Sequence, residues 1–324
     1  MRQSRREFVR VLFVASSGLL AERSLAANLL GKPATALLPP PQPQALNFIV
    51  FGDWGREGEP DQQDVAREMA RAAAVTDAKF VISAGDNFYE DGVASTTDPH
   101  WHKSFEDVYH QDPLRVPWYV VLGNHDYHGN CDAQVAYSGV SRRWNMPSRY
   151  YQITKTIGAT TADLFFLDTT PMVKVHHDDN KATSNAFKED VSKQMDWFRK
   201  SLAASKADWK IVIGHHPIYS GGEHGDTPEL IETLLPLLRE HKVQVYFNGH
   251  DHDLQHLQAG EVNLICSGAG SKVRPTRATA QTRFAMGCSG FTVASLQPAK
   301  MDLRMVDGSG KQVYATSFAR TAGA

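Results

Sequence analysis

The chain has 324 residues, 42% hydrophobic and 22% charged, with a formal net charge of −2. That balance suits one large globular domain or two medium ones. It excludes a nucleic-acid or other polyanion-binding role through a basic face, so any phosphate is recognised locally, at a site.

At the N-terminus, "SRREFVR" (Ser4 to Arg10) precedes the apolar run "VLFVASSGLL" (Val11 to Leu20) and the small residues of "RSLAAN". A basic start, a short apolar run and a small-residue end predict an export signal over residues 1–27, cleaved near Ala26 or Ala27. The apolar run is about half the ~20 residues of a membrane span, so no stable membrane anchor is expected after processing. Arg5 and Arg6, followed by Phe8, resemble a bacterial twin-arginine signal, which implies a periplasmic or secreted protein exported already folded. Residues 28–45, including "KPATALLPPPQPQA", read as a Pro-rich, semi-rigid leader.

From Leu46 onward, short apolar runs alternate with helix-like segments. The runs are "NFIVFGD", "KFVISAGD", "WYVVLGNHD", "LFFLDTT", "WKIVIGHHP", "VQVYFNGHDH" and "VNLICSGAG". "DVAREMARAAA" puts Ala66, Met69, Ala70 and Ala73 on one helical face, and "QMDWFRKSLAA" and "LIETLLPLLREH" have comparable spacing. The alternation predicts an α/β layered domain whose strands are buried on both faces. The end differs, because "GFTVASL" and "KMDLRMVDGSGKQVYATSF" read as strands joined by tight turns, with Gly308 and Gly310 at one of them. A mixed sheet, or two packed sheets, therefore fits better than one parallel sheet.

Five apolar runs end in glycine followed by a metal-capable residue: Gly52-Asp53, Gly85-Asp86, Gly123-Asn124-His125, Gly214-His215 and Gly249-His250. In open α/β sheets the site lies where the carboxyl ends of strands converge, and glycine there permits close backbone approach. Together the tags offer Asp53, Asp86, Asn124, His215, His250 and His252, a carboxylate, amide and imidazole set suited to a pair of first-row metal ions. His250 and His252, two apart, would point the same way on an extended strand end. Asp86 then reads as a bridging carboxylate of a dinuclear centre.

The series "GDWG", "GDNFY", "GNHD", "GHHP" and "GHDH", in this order, resembles the calcineurin-like metallophosphoesterase superfamily. Within it, the series is most similar to purple acid phosphatases of the small, tartrate-resistant type. The likeness runs from about Asn47 to Phe318 and implies a catalytic domain over residues 46–320. The implied fold is two packed mixed β-sheets flanked by α-helices. It also implies ferric iron, Fe(III), held by Asp53, Asp86, Tyr89 and His252, beside a divalent iron, zinc or manganese held by Asp86, Asn124, His215 and His250. His125 and His224 would be catalytic, with a cationic His224 near the phosphate. The implied reaction releases inorganic phosphate from a phosphate monoester by attack of metal-activated hydroxide, with no phosphoenzyme, in a protein expected to be a monomer. Because a ferric ion acidifies water more strongly than zinc, an acid optimum is expected.

Two rival readings accompany this one. Phosphodiesterases and nucleotidases on the same fold carry His where this chain has Gly55 and lack an equivalent of Tyr89. A non-catalytic iron-tyrosinate protein would use Asp53, Tyr89 and His252 but not Asn124, His125 and His224. "VHHDDN" (Val175 to Asn180) reads as a solvated loop, His216 as lining or packing, and "RPTRATAQTR" as a solvated basic loop. Cys266 and Cys288 are a candidate disulfide, which would leave Cys131 over.

Overall fold

The structure, a computed structural model, describes residues 38–177, 186 and 188–320. The expected export signal and residues 28–37 of the leader lie outside the described residues. In chain order the elements are β1 (Leu46–Phe51), α1 (Gln62–Thr76), β2 (Phe80–Ser83), β3 (Trp118–Val120), α2 (Cys131–Tyr137), β4 (Trp144–Asn145), β5 (Tyr151–Ile157) and β6 (Thr160–Phe166). They continue as α3 (Val191–Ala204), β7 (Trp209–Ile213), α4 (Pro228–Thr233), α5 (Leu235–Glu240), β8 (Val245–Asn248), β9 (Leu254–Ala259) and β10 (Val262–Ser267). The last strands are β11 (Thr282–Met286), β12 (Gly290–Leu296), β13 (Lys300–Asp307) and β14 (Gln312–Ala319). Among the described residues no helix is long and apolar enough to cross a membrane.

The strands form two seven-stranded mixed sheets, ordered β14-β13-β12-β1-β2-β3-β4 and β11-β9-β10-β8-β7-β6-β5. Within the first, β1 through β4 run parallel, and β12 to β14 add an antiparallel meander at one side. In the second, β6, β7, β8 and β10 run parallel, β5 and β9 run against them, and β11 pairs antiparallel with β9. Strand alternation explains the layering. Ile211 and Ile213 of β7, with Val245 and Phe247 of β8, face the larger core, whereas Val212 and Tyr246 face a second core under α3, α4 and α5. Successive side chains point to opposite faces, so a strand apolar at every position must be covered on both.

The helical face predicted for α1 is buried, with Ala66, Met69, Ala70 and Ala73 all in the larger core. "LIETLLPLLREH" departs from the single helix expected of it and divides into α4 and α5 near Leu234. Pro236 lacks the N–H that would continue the ladder across that point. Leu38, from the end of the leader, packs against the larger core.

All three cysteines are free, so the candidate Cys266–Cys288 pairing is not formed. Cys266, near the end of β10, has its Sγ 3.4 Å from the carbonyls of Gly249 and Asp251, a satisfied buried thiol and not a loop clasp. Thiol titration of the denatured, unreduced protein should count three.

Asp168 sits just beyond β6, buried, and accepts from the Tyr127 hydroxyl at 2.5 Å while its Oδ1 has no partner. Burial pushes its carboxyl up to about 7, against the opposing pull of the Tyr127 hydroxyl and Arg149. A carboxyl raised in the folded state contributes stability below its unfolded pKa of about 4 and loses it as pH rises through about 7. Asp168→Asn should therefore leave stability near wild type at pH 4 and raise it at pH 8, by on the order of 3–4 kcal/mol at most, with Tm following. Thermal melts across that window test the sign, and an unchanged pH slope would defeat it.

Candidate metal centre

The five glycine tags end strands of both sheets, three following β1, β2 and β3 and two following β7 and β8. Backbone bonds lace the turns together. Asp53 N–H donates to Gly85 O at 3.0 Å, Tyr89 N–H to Gly55 O at 2.8 Å, and Gly249 N–H to His215 O at 3.0 Å. Gly52 N–H reaches Ser267 O of the other sheet at 2.8 Å, so the two sheets are fastened where the tags meet.

Two side-chain groups converge there. Tyr89 Oη lies 2.9 Å from Asp53 Oδ1, 3.0 Å from Asp86 Oδ2 and 3.1 Å from His252 Nε2. His215 Nε2 lies 3.1 Å from Asn124 Oδ1, 3.1 Å from His250 Nδ1 and 3.4 Å from the same Asp86 Oδ2. The structure thus brings together all seven residues read as ligands, with Asp86 common to both groups. His250 and His252 reach them by a turn beyond β8 and not along an extended strand, since His250 has φ 71°. Asp53 and Asp86 also adopt left-handed backbone, at φ 61° and 48°. Such conformations cost roughly 1–3 kcal/mol each and persist where surrounding structure imposes them.

The charges of this cluster oppose one another. Burial pushes the Asp53 carboxyl well above the usual carboxylate range, and Asp86 adds to the rise. Burial works against ionised Asp86 too, but His215 outweighs it and holds that carboxyl below the range. Burial disfavours the His215 cation, yet Asp86 lifts this imidazole to about 9. Burial, then Asp53 and Asp86, push the Tyr89 phenol well up. A cation among these atoms would favour every anionic donor at once, which is the sense in which the residues fit a metal. The cradle is close-built, since a Cβ at Gly249 would lie 2.3 Å from Asp53 Oδ2.

The matched turns also fix what Gly55 can be. A Cβ there would lie 1.9 Å from Asn87 O, so the histidine of the phosphodiesterase reading has no room.

The residue pattern, order and geometry invite comparison with known proteins. The sequence pattern of the family described as Calcineurin-like phosphoesterase matches residues 46–254. The tartrate-resistant acid phosphatase type 5 of Mus musculus is 39% identical over 299 residues, covering 85% of this chain and 90% of that protein. The chain belongs to the calcineurin-like phosphoesterase family. Purple acid phosphatase 17 of Arabidopsis thaliana is 42% identical over 240 residues, covering 70% of this chain and 69% of that protein. The solved structure of GAP50, described as the anchor in the inner membrane complex of Plasmodium, is similar with a TM-score of 0.75 at 27% identity. It covers 86% of this chain and 90% of that one. Within the family this chain is of the purple acid phosphatase kind, and it is an enzyme, a phosphoric monoester hydrolase of the acid phosphatase class.

Of the two histidines expected to be catalytic, His125 donates its backbone N–H to Asp86 Oδ1 at 2.8 Å, and its ring lies 4.5 Å from that of Tyr89. His224 lies across the cluster with its ring 4.1 Å from His250. Burial holds His224 below its ordinary pKa, the charge of Arg274 adding to the effect and Asp251 opposing it. Arg274 donates to His224 Nε2 at 2.6 Å. The fixed cation at this edge is therefore Arg274, and the cationic His224 expected from sequence is disfavoured in the free protein.

Sequence reasoning missed several supporting residues. Thr169 Oγ1 receives the backbone N–H groups of His215 and His216 at 3.1 and 3.0 Å. Asp126, inside the "GNHD" tag, receives Gly123 N–H at 2.8 Å and Gln134 Nε2 at 2.7 Å. Asp251, inside "GHDH", receives the His224 N–H at 2.9 Å. His176 corrects the solvated reading of "VHHDDN": it is buried, with Nε2 2.8 Å from His216 Nε2. Its partner His216 lies 40 residues on in the chain, which its polar sequence neighbours did not foretell. Residues 178–180 of that stretch lie outside the described residues. His216 Nδ1 pairs with Thr169 Oγ1 at 3.0 Å, so both its nitrogens are engaged, although His215, His216 and His250 cluster closely enough to hold an ion.

Proposed function

We propose that this acid phosphatase hydrolyses phosphate monoesters at a dinuclear centre of ferric iron and a divalent iron, zinc or manganese, in the periplasm or outside the cell. One observation carries the proposal: Asp86 Oδ2 lies within 3.0 Å of Tyr89 Oη and 3.4 Å of His215 Nε2. A single carboxylate thus joins a phenol-rich, oxygen-dominated donor group to an amide–imidazole group. Hard ferric iron suits the first, with Asp53, Asp86, Tyr89 and His252 as its ligands. A divalent ion suits the second, with Asp86, Asn124, His215 and His250. When bound, such a pair supplies Lewis acidity that offsets phosphate charge and makes water nucleophilic in mild acid.

The chain's own groups do the rest. His215 Nδ1 is 2.9 Å from Ala84 O, which fixes a proton there and makes Nε2 the nitrogen that would donate to a metal, which would displace the proton Asp86 favours on it. His125 Nδ1 is 2.7 Å from Glu90 O, so Nε2 is the nitrogen left for a substrate oxygen. Arg274 fixes His224 Nε2 as an acceptor and supplies the positive charge at that edge. An approaching phosphate dianion would raise the pKa of His224, and only then is the imidazole a proton source for the leaving group. The twin-arginine pattern at Arg5 and Arg6 supports export, with the expected product inorganic phosphate and the expected state a monomer.

Metal analysis with an absorption spectrum of the native protein tests the centre. Iron and a visible phenolate band are expected, and Tyr89→Phe should abolish that band. A chromogenic monoester should turn over faster than the corresponding diester, most rapidly in mild acid. A colourless, iron-free active enzyme, or a preference for the diester, would sink the proposal.

A further inference from the structure

Arg56 stands three residues beyond Asp53 and directly after Gly55, in the turn whose carbonyl receives the Tyr89 N–H. That backbone bond lays the Arg56 guanidinium on the Tyr89 ring, with Cζ 3.6 Å from the ring centroid. The Arg56 side chain is only 13% exposed. Its Nη1 pairs with the Glu90 carboxylate, and its Nε, equally buried, has no hydrogen-bond partner. A buried donor left unpaired is unfavourable unless the group is held for another contact, and here that contact is the aromatic face. The ring of His125 approaches the same phenol at 4.5 Å, so Tyr89 is closely confined.

We propose that Arg56 is a positioning residue that acts through Tyr89 to set the electronic state of the bound iron. The inference rests on the iron–tyrosinate reading above. A positive charge stacked on the phenolate lowers the energy of its π electrons, so moving one to iron takes more energy and the visible band lies at shorter wavelength. The same charge favours the reduced metal, which carries one positive charge fewer. Glu90, paired to the guanidinium, damps both effects.

The test uses the metal-loaded protein and reads metal content, band position and iron reduction potential. Arg56→Met should move the band to longer wavelength and lower the potential, raising the oxidised-to-reduced ratio at a fixed poise by roughly three- to tenfold. Arg56→Lys keeps the charge without the planar stack and should fall between. Glu90→Gln removes the damping anion and should shift both readouts the opposite way, a result that general damage to the site would not give. If Arg56→Met fails to load iron, the sign of the Glu90→Gln shift decides. A coloured wild type whose band and potential are unmoved by Arg56→Met and Glu90→Gln, or moved the same way by those two, overturns the inference and leaves the tyrosinate reading standing. A wild type with no phenolate band overturns both.

Discussion

Asp86→Asn is expected to lower monoester hydrolysis by on the order of 10³-fold or more, together with loss of bound metal. The substitution keeps size and shape while removing the charge that both donor groups share, since Asp86 Oδ2 faces Tyr89 Oη on one side and His215 Nε2 on the other. Asp86 Oδ1 also receives the His125 N–H at 2.8 Å, so the presentation of His125 depends on the same side chain. An amide oxygen at Oδ1 could still accept that bond. Fold should therefore survive, with far-ultraviolet circular dichroism unchanged. Kinetics and metal analysis on one preparation decide the matter, and retained metal with retained turnover would refute the shared-carboxylate assignment.

Chelation should abolish activity and lower Tm by roughly 15 °C, and both should return on reloading iron with the divalent ion. The magnitude follows from linkage: two sites each held at about a thousandfold over Kd contribute about 8 kcal/mol, and a domain of this size shifts by about 2 °C per kcal/mol. The Asp53 contribution to the pH dependence of the metal-free protein carries a definite sign. Burial, then Asp86, raise the Asp53 carboxyl, so its stability contribution is present below about pH 4 and falls as pH rises. His215, lifted to about 9 by Asp86 against burial, contributes below its unfolded value near 6.5 and loses that contribution through about 9. Both favour the lower pH, whereas burial holds His250 and His252 below the usual imidazole range and these favour the higher pH, so the Asp53 contribution is read as the difference between variant and wild type. Asp53→Asn should be inactive yet melt higher than the metal-free wild type at pH 8.5. Differential scanning calorimetry with and without chelator checks this, and identical curves would count against a charge-opposed cluster.

Six of the seven proposed donors were legible because each lies in a local tag, whereas Tyr89 was reached only through the family resemblance. Glycine at a strand end followed by Asp, Asn or His can be read without knowing the partner strand, and the layered α/β class follows from apolar runs of strand length. The turn at Gly308 to Gly310 between β13 and β14 was equally local. What stayed hidden depends on contacts made only after the sheets pack. Thr169 follows an ordinary strand, and nothing local says that its hydroxyl will meet two backbone N–H groups 46 and 47 residues away. His176 looked like a solvated histidine because its burial is supplied by distant chain. Arg274 was read as part of a solvated basic loop and Arg56 was not singled out, yet the first meets a histidine nitrogen and the second covers a tyrosine ring. The turn geometry that carries His250 and His252 was misread as strand because φ is not written in the sequence.

The fastening of the two sheets at the cluster has a consequence for how the enzyme is made. Asp53 sits just beyond the first strand and His250 in a turn 197 positions later, yet the carboxylate of one receives the N–H of the other. A nascent or unfolded chain offers scattered single donors, each far too weak to retain an ion. Maturation therefore has a fixed order: both sheets must be complete and docked before the first ion can be captured. Under the folded export proposed from Arg5 and Arg6, the assembled cluster would cross the membrane as a finished receptor. Its inorganic content would then be chosen by whichever compartment it occupies between folding and transport.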